Sequence, residues 1–97
     1  MRSLTKSPVA FAQTALAAAR AELPAYSHPK SPHKFTQPQL VAMLALKDFL
    51  RTDYRGLIAY LSDWTDLRRA LELTCLPNFS TLCYAHQRLL KKRALQN

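Results

Sequence analysis

Leu76-Pro77-Asn78-Phe79-Ser80-Thr81-Leu82-Cys83-Tyr84-Ala85-His86-Gln87-Arg88-Leu89-Leu90-Lys91-Lys92-Arg93 sets the architecture of this chain. A proline-stiffened turn leads to Ser80, a helix-capping residue type, and from Thr81 onward the residues separate onto faces at helical spacing. Leu82, His86, Leu89 and Arg93 follow one side with Cys83 and Leu90 beside them, while Thr81, Tyr84, Arg88, Lys91 and Lys92 line another. A helix packed on a small core with a basic face toward phosphate has this pattern. The last acid of the chain is Glu72, so the 25 residues from Leu73 to Asn97 carry Arg88, Lys91, Lys92 and Arg93 with no side-chain carboxylate to offset them.

The charge of the whole chain agrees with that face. Fourteen Lys and Arg against six Asp and Glu give a formal +8, a balance that favours nucleic acid or an anionic surface over acidic small substrates. Ninety-seven residues allow one core, and 48% hydrophobic residues exclude disorder for most of the chain. No apolar run approaches the roughly 20 residues of a membrane span, and no aromatic residue stands near Lys91 to Arg93 to anchor an amphipathic surface helix, so no membrane partner is expected. Gln13, Thr14 and Arg20 interrupt the alanine-rich N-terminal stretch, which argues against a cleaved presequence. Cys75 and Cys83 stand eight apart with no Cys-x-x-Cys, which fits a reducing, cytoplasmic setting. With His86 they lack a fourth zinc ligand at a sensible spacing, so no metal or other cofactor is expected.

Upstream the sequence reads as further helices and a linker. Ser7-Pro8 caps and opens a first helix that Pro24 stops; its face of Ala12, Leu16, Ala19 and Leu23 is thin, which predicts little burial and a helix lying apart from the core. Residues 24–32 hold three prolines and read as a linker, dividing an N-terminal segment, 1–32, from a helical domain, 33–97. Thr36-Gln37-Pro38-Gln39 is a capping box that opens the most apolar helix, through Leu50. Thr52 or Asp53 caps the next, where Tyr54, Leu57, Ile58 and Leu61 keep the helical rule, and the chain's only glycine, Gly56, suggests a close helix contact there. Thr65 caps a short helix carrying Leu67, Ala70, Leu71 and Leu73, with Arg68 and Arg69 projecting elsewhere. The expectation is an all-α domain of about five helices, near 8–23, 37–51, 53–62, 66–73 and 80–94, with a helix-turn-helix-like C-terminal half and a core of Leu40, Leu44, Leu57, Leu61, Leu67, Leu71, Leu82 and Leu89.

No catalytic apparatus is legible. Asp53, Asp63 and Asp66 fall where helix N-termini favour negative charge, Glu22, Asp48 and Glu72 are scattered, and one glycine cannot make a phosphate loop. The chain is not expected to be an enzyme by itself. The expected partner is double-stranded DNA: Thr81, Tyr84 and Arg88 enter the major groove, Lys91 and Lys92 meet phosphates, and Arg55, Arg68 and Arg69 grip the backbone on either side. The competing expectations are a protein-interaction module, a homodimer through the apolar helix 37–51, and a stand-alone helix-turn-helix regulator.

From His33 to Leu90 the ordered blocks Lys34-Phe35-Thr36-Gln37-Pro38-Gln39-Leu40, Leu46-Lys47-x-Phe49-Leu50, Asp53-Tyr54-Arg55-Gly56-Leu57 and Pro77-Asn78-Phe79-Ser80-Thr81-Leu82 resemble the N-terminal helical region of DDE-type insertion-sequence transposases. The resemblance implies a module that binds the terminal inverted repeats of a mobile element, on the nucleoid, and hands them to a following catalytic domain. That domain, similar to ribonuclease H, would hold two metal ions on three acids. The chain stops at Asn97, about where the first catalytic strand should begin, so the resemblance implies a truncated transposase without its acidic triad.

Overall fold

In the computed structural model, which describes residues 7–24 and 34–91, Ser7 Oγ accepts a hydrogen bond from the Ala10 amide and Pro8 occupies the first turn of α1, Pro8–Glu22. The proline lacks only an amide that the first turn leaves unbonded anyway. The 24–32 linker, Pro24 apart, lies outside the described residues.

Contrary to expectation, α1 does not lie apart. Ala12 and Leu16 belong to the central apolar cluster, and α1 packs along α2, Gln37–Phe49, more extensively than any other pair of elements meets. The small alanine side chains that read as weak burial are what let the two helix backbones close up, which leaves Ala12 fully buried. Phe11 stacks on Phe49 with ring centroids 4.3 Å apart, and at the other end Gln37 Nε2 donates to the Pro24 carbonyl at 3.1 Å. The start of α1 therefore meets the end of α2, an antiparallel pair.

The capping box forms as read: the Gln39 amide donates to Thr36 Oγ1 (3.1 Å) and the Thr36 amide to Gln39 Oε1 (2.9 Å). α2 stops at Phe49, two residues short of the expected limit, because Arg51 turns into the left-handed region at φ 55°. The Arg51 amide then reaches the Asp48 carbonyl and the Thr52 amide that of Lys47, a Schellman closure built without glycine.

Asp53 settles the next cap, accepting from the Gly56 amide at 2.7 Å to begin α3, Tyr54–Asp63. Gly56 is explained within this turn, not by another helix: a Cβ there would run into the Thr52 hydroxyl. Trp64 alone separates α3 from α4, Thr65–Ala70. The expected Thr65 cap is not made; Trp64 holds the cap position, and Thr65 Oγ1 accepts from Arg68 instead. α4 ends three residues early for the same reason as α2, with Glu72 at φ 58°, the Glu72 amide on Arg69 and the Leu73 amide on Arg68.

After the connection 71–78 comes α5, Phe79–Ala85, which continues as a π-helical turn over His86–Lys91. Ser80 lies one residue inside α5, and Asn78 is the cap position, its Oδ1 accepting from the Thr81 hydroxyl at 2.7 Å. Residues 92–94 of the expected last helix lie outside the described residues.

The protein is a small all-α domain, and no strand occurs among the described residues. In the C-terminal half, α3 packs against both α4 and α5, which do not pack on each other. Seven of the eight expected leucines are buried; Leu89, on the π-helical turn, is half-buried against the cluster. Met43, Leu46 and Leu16 complete the interior, each buried side chain contributing about 1.5–3 kcal/mol by removal from water. Among the described residues no helix is long and apolar enough to cross a membrane.

Candidate nucleic-acid interface

α5 is held by its apolar stripe. Leu82 and Ala85 are buried toward α2 and α3, which turns Tyr84 outward to 64% exposure with Arg88 one helical turn on. The Arg88 guanidinium lies over the Tyr84 ring, 5.6 Å from its centroid. At an exposed site such a contact contributes about 0.5–1 kcal/mol, enough to bias the side chain toward one orientation.

Arg55 joins this surface from α3. Its guanidinium stands 5.1 Å over the ring of Phe79, the first residue of α5. Phe79 in turn meets Tyr54 edge-on at 5.6 Å, and Tyr54 shares a 2.6 Å hydrogen bond with His86 Nδ1 and lies under Lys47 Nζ at 5.4 Å. Tyr54 thus pins both ends of α5 to the start of α3.

Neither Phe79 nor the Tyr54–His86 pair was foreseen as part of a surface. Phe79, Leu82 and His86 share a stripe by spacing, which reads as core; in the fold that stripe outruns the core at its first turn and leaves Phe79 44% exposed. The signal that could have found it is the run of cations and aromatics at the α3 start, Tyr54-Arg55, facing a helix that opens with an aromatic residue.

The expected DNA-facing residues are brought together only in part. Tyr84 and Arg88 share an exposed face, with Arg55 beside the same helix through Phe79. Thr81 is half-buried, and its hydroxyl turns back to Asn78. Arg68 is engaged elsewhere: Nη1 donates to the carbonyls of Leu61 (2.6 Å) and Ser62 (2.7 Å) and Nη2 to Thr65 Oγ1 (3.1 Å), so the guanidinium fastens α4 to the end of α3. Arg69 is exposed on α4, which packs on α1 and α3 and not on α5. The Lys91 side chain and all of Lys92 lie outside the described residues.

Charge near α5 is one-sided. The last side-chain carboxylate of the chain, Glu72, is taken by Arg20 of α1 in a two-pronged pair at 2.6 and 3.0 Å. Hydrogen bonding to the guanidinium, then its charge, holds the Glu72 carboxyl below the usual carboxylate range, and the same contact raises Arg20. Cys75 is exposed and Cys83 half-buried, both as free thiols, and no three His, Cys, Asp or Glu side chains converge among the described residues.

Comparison of the chain with models of known protein families, with curated proteins and with solved structures gave no match. Its class is that of a small all-α domain with a cationic, aromatic helix face.

Proposed function

We propose that the chain is a DNA-binding helical domain of the kind that precedes the catalytic domain of insertion-sequence transposases, with α5 and its basic continuation laid on the DNA. The observation that carries this reading is the exposed face on which Tyr84 and Arg88 stand together, flanked by Arg55, in a chain segment with no side-chain carboxylate after Glu72. Arg88 meets the DNA from the middle of the element, Lys91 and Lys92 continue the contact along phosphates, and Arg55 touches the backbone beside it. Arg68 is left out, since its guanidinium holds the α3–α4 corner. Catalysis is assigned to a separate domain, and the setting is the nucleoid. Ala42, Met43, Leu44 and Leu46 of α2 face the chain's own core, each at most 1% exposed, which favours this reading over a dimer built on the same side chains.

The test is a salt titration of the affinity of the chain for duplex DNA. Binding through these cations gives an affinity that falls linearly on a double-logarithmic scale, with a slope of about 0.9 per phosphate contacted. An absence of binding at low salt, or an affinity indifferent to salt, rejects the reading.

A further inference from the structure

Resting on the DNA-binding reading above, we propose that the hollow between Phe79 and Tyr84 holds an unpaired base, so that the domain recognises a DNA end or junction and not continuous duplex alone. The hollow is shallow, about 520 Å³, and is lined by Phe79, Ser80, Thr81, Cys83, Tyr84 and Gln87.

Three observations select a base as the occupant. The lining includes the two most exposed large apolar side chains of the described residues, Tyr84 at 64% and Phe79 at 44%. Inside a duplex both faces of every base are covered by its neighbours, so exposed rings laid in a groove reach only base edges and thymine methyl groups; stacking on a ring face requires a base that has left the helix. Each ring also has a guanidinium against it, Arg55 at Phe79 and Arg88 at Tyr84, so both aromatic side chains of the hollow bring a positive charge for the phosphates that flank an extruded base. Finally, no carboxylate lines the hollow, while the Gln87 amide and the Ser80 hydroxyl supply donors and acceptors for a base edge.

The experiment compares binding of the full chain to a blunt duplex with binding to the same duplex carrying a short single-stranded extension that contains 2-aminopurine. The expected result is tighter binding of the extended DNA by about 5- to 150-fold, the range of one stacked base, with quenching of the 2-aminopurine fluorescence. Tyr84→Leu keeps apolar bulk but removes the ring; whatever it does to duplex affinity itself, it should bring the ratio of the two affinities to one and erase the quenching. Tyr84→Phe should keep both the preference and the quenching. The outward position of Tyr84 leaves the core untouched by either change, and circular dichroism checks that each variant is folded. Equal affinity for the two DNAs, or a preference that survives Tyr84→Leu, overturns the base hollow and leaves the duplex reading standing; failure to bind either DNA overturns both.

Discussion

The Gln39 side-chain amide donates to the main-chain carbonyl of Leu71 at 3.0 Å across 32 residues of sequence, and to that of Glu72 at 2.9 Å. The same side chain closes the capping box of α2 through its oxygen. One buried glutamine thereby serves the first turn of α2 and the two carbonyls that follow α4, and fixes where the two helices meet.

Gln39→Glu separates the two duties. A carboxylate can still accept from the Thr36 amide but cannot donate to Leu71, and it sets a charge against two carbonyl oxygens. A destabilisation of about 1–3 kcal/mol is expected, read in urea unfolding, with Gln39→Ala in the same range. A change within error for Gln39→Glu would show that the contact to α4 contributes nothing.

Arg68 and Lys91/Lys92 should behave oppositely although all are basic. Arg68→Ala should lower stability by about 1–2 kcal/mol through the lost carbonyl contacts at the α3–α4 corner, and leave the salt slope of DNA binding unchanged. Neutralising Lys91 and Lys92 together should flatten that slope by about 2.

Arg88→Ala should cost about 1–3 kcal/mol of affinity on a preferred site and much less on random DNA, measured side by side at one salt concentration. Equal losses would make Arg88 a phosphate contact only.

The Arg20–Glu72 pair gives a pH dependence of known sign. Because the folded Glu72 carboxyl sits below its unfolded value, near 4.3, the pair stabilises fully above that value and its contribution disappears as pH falls through the folded value. Arg20 stays charged throughout. The stability difference between the native chain and Glu72→Gln should therefore be present at neutral pH and vanish in acid; a difference that persists unchanged in acid would show that the ion pair is not its source.

Arg51→Gly should stabilise by up to about 1 kcal/mol, since a left-handed φ is strained for any residue with a Cβ, whereas Arg51→Ala should gain nothing. Thermal unfolding decides it, at about 4–8 °C per kcal/mol for a domain this size.

The helices and nearly all of the core were legible because leucine spacing and capping residues are local signals: Thr36 with Gln39, and Leu57 with Leu61, depend on neighbours three or four residues away. What escaped depends on distance. Helix ends were placed too late at Arg51 and Glu72 because nothing local marks a left-handed arginine or glutamate where glycine is the usual sign. The burial of α1 depends on how closely alanines allow a partner to approach. At the interface, the spacing of Tyr84 and Arg88 was readable, but the engagement of Arg68 with Leu61 and the exposure of Phe79 follow from how α3 meets its neighbours.

Because α4 and α5 touch α3 and not each other, the connection between them is a bridge with both abutments fixed. On one bank, Gln39 grips the carbonyls of Leu71 and Glu72; on the other, Pro77 is buried; Thr74, Cys75 and Leu76 hang exposed between. Extra residues spliced into that span would loop into solvent without displacing either bank, and doubling a flexible loop costs only about 0.6 kcal/mol. Cys75 offers an exposed thiol at mid-span, so a reporter group attached there would travel with the domain without entering its core.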